Sequence, residues 1–284
     1  MSGPKYLLVL SGEDPVASAL AESWPIGPAL DVHVGGVPIR RWGDSVAVLR
    51  RAGRHIFDAS LERELPSNPP WDRIPVVFPS IHRSRSETPC LTVHPIGNPG
   101  ASAEFGGIPR QLVPPAPQLM RAALSDLRER ARPLGVPVSY EATHHGPFLS
   151  RPSCFVEVFA SERGQPDPRL MDLLQRTLGE LKPDLRDQLA VGIGGGHYAP
   201  HFTDLAVSRR WAFGHILSRH ALAGLEAEQV RTAVSQSGAA GLLFARAGDA
   251  TLPVFEGFPR LRETDAPARN DQASRATGGP ASGT

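Results

Sequence analysis

The segment Tyr140-Glu141-Ala142-Thr143-His144-His145-Gly146-Pro147 sets two histidines side by side at the end of an apolar run, and Gly194-Gly195-Gly196-His197-Tyr198-Ala199-Pro200 carries a third after three glycines. Packing asks for neither arrangement. A glycine run loses much conformational freedom on folding, and its lack of side chains lets the backbone approach a ligand closely. Imidazole can serve as acid, base or metal donor near neutral pH. Backbone N–H groups of a glycine turn can form a nest for an anion or an oxyanion. His144, His145 and His197 are therefore candidate catalysts, and Gly194, Gly195 and Gly196 candidate oxyanion or phosphate donors. The turn is not a dinucleotide fingerprint, because His197 stands where the last glycine belongs and no acidic residue ends a second strand about 20 residues on.

If the strand from Val136 runs on through the double histidine, alternation puts Tyr140, Ala142 and His144 on one face and Glu141, Thr143 and His145 on the other. Only one of the two histidines then faces a common pocket, unless the chain turns at Gly146-Pro147. In the next strand Phe155, Glu157 and Phe159 share a face. A carboxylate among aromatics is desolvated with a raised pKa, or paired with a cation or metal, or reaches solvent at a strand edge. Glu157 thus joins the catalytic candidates. Thr143 and Ser11 are possible nucleophiles, but neither lies in a Gly-x-Ser-x-Gly elbow, which favours direct attack by water. His197 and His201 are spaced for one helix face, but Pro200 disfavours helix at Ala199 and argues against a helical zinc pair.

These residues need strands and turns to hold them. Apolar, β-rich runs occur at Tyr6 to Leu10, Val37 to Ile39, Val46 to Leu49, Pro75 to Phe78, Leu91 to Val93, Val136 to Tyr140, Cys154 to Phe159, Leu189 to Ile193 and Leu242 to Phe244. Asp14-Pro15 and Asp167-Pro168 each read as an N-cap with proline at the first helical position. Further helices are expected between Pro117 and Pro133 and from about Glu226 to Gln236, the latter stopped by Gly238. Strands alternating with helices predict an α/β fold, and connections too short for a helical crossover between residues 30 and 50 predict hairpins and a mixed sheet.

Six strings in order give the chain a close resemblance to the archaeal and plant type of D-aminoacyl-tRNA deacylase. They are Leu10-Ser11-Gly12-Glu13-Asp14-Pro15, Ser80-Ile81-His82-Arg83-Ser84, Leu91-Thr92-Val93-His94-Pro95-Ile96-Gly97-Asn98, the double-histidine segment, the stretch from Gly194 to Thr203, and Gly214-His215-Ile216-Leu217. The resemblance implies a three-layer α/β/α architecture of the phosphorylase and peptidyl-tRNA hydrolase type. It implies zinc-dependent hydrolysis of the ester joining a D-amino acid to tRNA, acting on the acceptor end with broad side-chain tolerance. Seven histidines fall inside the shared segments: His82, His94, His144, His145, His197, His201 and His215. His33, His55 and His220 fall outside and are read as surface or structural. Imidazoles converging with a carboxylate make a zinc site, and zinc would polarise an ester carbonyl and lower the pKa of a bound water to about 7. The spacing leaves open which of His82, His94, His144, His145, His197 and Glu157 are ligands. The chain departs from the family at His201, where arginine or lysine is usual, implying a phosphate contact weakened or replaced there. A peptidyl-tRNA hydrolase-like or phosphorylase-like enzyme and a non-catalytic tRNA- or metal-binding module are the alternatives.

Arg121, Arg128 and Arg132 recur at helical spacing on a face away from the apolar stripe of Met120, Leu124, Leu127 and Ala131. They form either a solvated surface or, with Arg83 and Arg85 beside His82, a set of tRNA phosphate contacts that position without reading sequence. The net charge of +1 over 284 residues decides nothing about nucleic acid, since a basic patch can sit on a neutral protein. Lys5 and Lys182 are the only lysines; arginine suits bidentate phosphate binding, and GC-rich codon usage gives the same ratio. No apolar run of about 18 residues is present to span a bilayer, and the first residues lead into a strand rather than a signal-peptide core. A cytoplasmic protein is expected, with no obligatory protein partner. Cys90 and Cys154, far apart in sequence, are expected to be buried reduced thiols. Residues 1–263 are expected to form one catalytic α/β domain, and residues 264–284, with no apolar residue larger than alanine, a disordered tail.

Overall fold

The computed structural model describes residues 4–24, 26–43, 46–83, 88–160 and 166–269. In chain order the regular elements are β1 (Tyr6–Ser11), α1 (Pro15–Ser23), β2 (Ala29–Val34), β3 (Val37–Trp42), β4 (Val46–Arg51), α2 (Leu61–Glu64), β5 (Val76–His82), β6 (Leu91–Pro95), α3 (Pro117–Ala131), β7 (Val138–Tyr140) and β8 (Ser153–Phe159). There follow α4 (Pro168–Glu180), β9 (Gln188–Ile193), α5 (Pro200–Ser208), β10 (Trp211–Leu217), α6 (Arg219–Leu222), α7 (Ala227–Ser237) and β11 (Leu242–Phe244).

The strands form an eight-stranded mixed sheet in the order β2-β3-β4-β1-β5-β8-β6-β7 and a separate three-stranded parallel sheet, β10-β9-β11. The antiparallel run β2-β3-β4 is the pair of hairpins expected from the short connections, whereas β1 pairs in parallel with β4 and β5, and β5 with β8. One face of the large sheet carries Leu8, Leu10, Val77, Val93 and Val156 against α1, α3 and α4. The other carries Leu7, Val9, Phe78 and Phe155 beneath the turn at His55–Phe57, α2 and the segment around Trp71 and Ile74. Helix α3 also packs on β10, so it joins the two sheets, and α7 covers the small one.

The caps explain why these helices begin where they do. Asp14 accepts from the N–H groups of Val16 and Ala17 at 2.9 and 3.0 Å, and Asp167 from that of Arg169 at 2.8 Å, in each case ahead of a proline at the first helical position. Helix α7 starts with a capping box between Glu226 and Gln229 and stops at Gly238, whose φ of 59° is the left-handed conformation that glycine adopts without strain. In α4, Leu170, Leu174 and Leu178 are buried at helical spacing, each contributing roughly 1.5–3 kcal/mol of hydrophobic stabilisation.

Strand β10 reads Trp-Ala-Phe-Gly-His-Ile-Leu, buried throughout and interrupted by a glycine, so its sequence carries neither alternation nor a clean apolar run. Gly214 is there because a Cβ would come within 2.1 Å of Ser237 Oγ. The C-terminal boundary also shifts. Residues 264–269, expected in the disordered tail, are placed: Ala266 is fully buried, Arg210 donates its N–H to Pro267, and Arg269 donates to Ser208. The rest of the expected tail, 270–284, lies outside the described residues. Cys90 and Cys154 are free buried thiols, as expected.

Candidate active site and metal centre

Strands β1, β5 and β8 run parallel and end at one edge, and a cleft of about 240 Å³ opens beyond their carboxyl ends, the usual place for a ligand in an open α/β sheet. Register decides which side chains meet there. Ser80 lies opposite Glu157 and His82 opposite Phe159 across β5 and β8, while Thr92 and His94 of β6 lie opposite Glu157 and Phe155. Directly paired residues share a face, so His82, His94 and Glu157 emerge together, with the stacked rings of Phe78 and Phe155 beneath them.

The double histidine is not a strand. Strand β7 stops at Tyr140 and the chain turns, with His145 at φ 44° and Gly97 donating its N–H to the His145 carbonyl at 2.9 Å. Both His144 and His145 consequently line the cleft, and the alternation that would have parted them does not apply. The turn also brings in Glu141, which in the sequence is only a charge in an apolar run.

The triple-glycine turn does something other than expected. The Gly194 N–H is taken by the Leu217 carbonyl at 2.8 Å and is not free for an oxyanion, and Gly194, Gly195 and Gly196 do not line the cleft, although the next residue, His197, does. Gly194 has φ 96°, and a Cβ there would sit 2.3 Å from Asp249 Oδ2. The turn lets the chain fold back along residues 140–142, where Ala142 donates to the His197 carbonyl at 2.8 Å and Ala199 to the Tyr140 carbonyl at 2.9 Å. That pairing sets His197 and Tyr198 over Glu141 and His82.

Within the cluster, His82 Nδ1 is 3.2 Å from Glu157 Oε2 and 3.3 Å from Glu141 Oε1, and its Nε2 is 2.7 Å from the Tyr198 hydroxyl. His94 Nε2 is 3.6 Å from Glu157 Oε1, His144 Nε2 3.9 Å from Glu141 Oε2, and His197 Nε2 3.5 Å from Glu141 Oε1. Both Glu141 oxygens are buried without a well-formed hydrogen bond. Three imidazoles are oriented by backbone: the Nδ1 atoms of His94, His144 and His145 meet the carbonyls of Pro95, Ala142 and Gly146 at 3.1, 2.7 and 2.7 Å. A carbonyl only accepts, so each Nδ1 carries the proton and, in the neutral ring, each Nε2 keeps its lone pair.

Burial and neighbouring charge divide the cluster into two classes. Burial opposes a charged His82, but hydrogen bonds to Cys90 and Glu157 and the charge of Glu141 outweigh it and push its pKa up to about 12; His94 is raised against the same burial by Glu157 and Glu141. Burial, with the neighbouring His94, pushes His144 well below the usual range and His145 down to about 3. Glu141 and Glu157 stay ionised despite burial, Glu141 through His197 and His94 and Glu157 through His82 and His94. The two carboxylates thus draw protons toward His82 and His94, beside two imidazoles held neutral.

The remaining candidates disperse. Thr143 does not line the cleft: its hydroxyl accepts from the Ile216 N–H at 3.1 Å and contacts His215 Nδ1 at 3.1 Å, so it secures the histidine turn to β10. His201, the second residue of α5, is 3.5 Å from Glu263 and outside the cluster. Arg83 lines the cleft, whereas Arg85 lies outside the described residues. Arg121 is not on a solvated face. It is buried, pairs with Asp187 at 2.9 Å and donates to the Ala206 carbonyl at 3.0 Å. Arg128 pairs with Asp204 at 3.0 Å, and Arg121, Arg128 and Arg132 line a separate depression that shares no residue with the histidine cleft.

Asp14, His55, Ser80 and Tyr198 were missed. Asp14 reads in the sequence only as a helix cap, yet its second oxygen accepts from the Ser80 hydroxyl at 2.9 Å and the Ile81 N–H at 3.0 Å. His55, read as surface or structural, is buried at the cleft wall with Nε2 3.1 Å from Ser80 Oγ.

A family model described as D-aminoacyl-tRNA deacylase matches residues 72–250. A D-aminoacyl-tRNA deacylase of Methanoregula boonei is 44% identical over 202 residues, covering 67% of this chain and 45% of the relative. One from Thermoplasma acidophilum is 35% identical over 198 residues, covering 69% and 73%. A crystal structure of a conserved protein of unknown function superimposes with a TM-score of 0.75 at 26% identity, covering 86% of this chain and 87% of the other. The alignments span 45%, 65% and 48% of the length of three of the curated relatives.

Proposed function

The chain belongs to the D-aminoacyl-tRNA deacylase family, and on that premise we propose that it hydrolyses the ester between a D-amino acid and the terminal ribose of tRNA, releasing both. The observation that carries the reading is that the matched stretch, residues 72–250, contains every imidazole and carboxylate of the cluster: His82, His94, Glu141, His144, His145, Glu157 and His197.

Zinc is the proposed cofactor. The donor atoms of His94, His144 and His145 lie within 4.8 Å of one another, as do those of Glu141, His144 and His197; the neutral, backbone-oriented His144 and His145 are the kind of ligand zinc prefers, and His94 would release its Nε2 proton on binding. The buried oxygens of Glu141 and Nε2 of His94, which make no well-formed hydrogen bond, also fit a cation. We assign His94, His144 and His145 as its principal holders, flanked by Glu141. Bound there, zinc would supply a Lewis acid for the ester carbonyl and a more acidic water.

The side chains account for the proton traffic. Glu141 Oε1 faces His197 Nε2 at 3.5 Å, which favours the proton on Nε2 and leaves Nδ1 as base, the logic by which a buried carboxylate orients a catalytic histidine. His197 is half exposed at the cleft and within reach of substrate. As a water oxygen bonds to the carbonyl carbon, its proton passes to His197 Nδ1; as the carbon–oxygen bond to ribose breaks, that proton passes to the leaving ribose oxygen. His82, held by Glu157, Glu141 and Tyr198, keeps the carboxylates in place.

Tolerance of many side chains follows if the cleft grips the groups on the α-carbon and leaves the side chain toward solvent. A cytoplasmic site of action belongs to the same reading; among the described residues no helix is long and apolar enough to cross a membrane. Incubation of the protein with tRNA charged with the D- or the L-form of one amino acid tests the proposal. Release of the D-form with the L-form spared is expected, and stability of both esters overturns it.

A further inference from the structure

The mouth of the cleft carries apolar surface that the reaction does not use. Phe105 lines the cleft yet is 64% exposed, and Phe57 is 48% exposed with the Arg54 guanidinium 5.3 Å from its ring centroid. Arg54 and Arg83 line the same cleft, against one exposed carboxylate, Glu13. An exposed aromatic on a loose loop would need no explanation. This loop is tightly held.

Phe105 accepts from the Gly146 N–H at 3.1 Å, and the Asn98 side chain donates to the Gly106 carbonyl at 2.8 Å. Gly106 has φ 81°, and a Cβ there would fall 1.8 Å from the Ile56 carbonyl and 3.3 Å from the Phe57 ring; a Cβ on Gly146 would fall 2.2 Å from Gly107 N. Three segments, around Phe57, Phe105 and His145, are therefore packed backbone to backbone. They anchor the backbone that carries two exposed aromatic rings, with the Arg54 guanidinium over one of them and Arg83 in the same cleft.

Resting on the deacylase reading, we propose that Phe57, Phe105, Arg54 and Arg83 form the seat for the unpaired 3′ end of the tRNA. Rigid aromatic faces stack on unpaired bases of any identity, and arginines beside them meet the connecting phosphates. The charge at the mouth complements RNA, and the end so held carries the ester into the cleft. This surface replaces the α3 arginines as the RNA contact nearest the chemistry.

The test measures binding of deacylated tRNA, which requires no hydrolysis, and of the same tRNA trimmed of its unpaired 3′ nucleotides. Phe105→Ala and Phe57→Ala should each weaken binding of intact tRNA about tenfold, as should Phe105→Leu, which stays apolar but loses the ring. Arg54→Ala should lower the slope of log affinity against log salt by about 0.7. Trimmed tRNA should bind wild type weakly and the aromatic variants no more weakly. Unchanged affinity of the aromatic variants for intact tRNA, equal losses on trimmed and intact tRNA, or failure of wild type to bind either would overturn the proposal. A protein that binds in this rim-dependent way but cleaves no ester would leave the seat standing and remove the deacylase reading; ester cleavage with an unchanged KM in the variants would do the reverse.

Discussion

At the scale of single residues, the proposed chemistry turns on His144 and His145, held neutral by burial, and on His197 at the cleft. His144→Ala, His145→Ala and His197→Ala are each expected to lower deacylation by about 100-fold or more, the scale of losing a positioned acid, base or electrostatic group. Circular dichroism should show the fold retained, and activity within a few-fold of wild type in all three variants would refute the assignment. A depressed histidine outside the proposed metal ligands carries a prediction for stability in acid. His215, buried behind the turn, is pushed down to about 4 by burial, against about 6.5 in the unfolded chain. The unfolded state then binds more protons between these values, so stability is present above pH 6.5 and is lost as pH falls toward 4. His82 adds no slope in this window, being protonated in both states. His215→Asn should flatten the dependence of unfolding free energy on pH between 6.5 and 4 by up to about 1.4 kcal/mol per pH unit, measurable by denaturant titration; an unchanged slope would show that His215 is protonated in the fold.

At the scale of elements, helices were legible because their start and stop signals are local: Asp14-Pro15, Asp167-Pro168 and Gly238 each act within one turn. Strand β10 was not legible, since its pattern answers to a second sheet that only tertiary packing creates. The site divides in the same way. Alternation in β8 exposed Glu157, but Glu141 depends on β7 ending at Tyr140, and no local rule places that break. Helix α3 shows the limit of surface periodicity, because its arginine row includes Arg121, buried on Asp187 between α3 and the small sheet's neighbours. Breaking a buried pair leaves an uncompensated charge. Arg121→Ala should therefore destabilise the protein by about 3 kcal/mol while leaving the salt dependence of tRNA binding unchanged. A reduced salt slope with full stability would restore α3 as a phosphate contact.

At the scale of the whole molecule, the two sheets and the C-terminal segment hold the His197 loop against the histidine turn. Trp211 donates to the Glu263 carbonyl at 2.9 Å and Arg209 to that of Ala266 at 3.1 Å, so residues 263–269 fasten the strand that Thr143 leans on. Truncation after Arg269 should leave the melting temperature within about a degree, whereas truncation after Glu263, which exposes Ala266 contacts and removes several backbone bonds, should lower it by several degrees, at roughly 1 kcal/mol per bond. Equal melting temperatures for the two truncations would show that the segment does not dock. One time course tests the proposed deacylation most directly: release of a labelled amino acid from D- and L-aminoacyl-tRNA by zinc-loaded wild type, by chelated protein, and by His144→Ala. The expected result is rapid loss of the D-ester with wild type alone, recovered in chelated protein when zinc is returned, and an L-ester stable throughout. Undiminished D-ester cleavage by His144→Ala, or equal cleavage of both enantiomers by wild type, would contradict it.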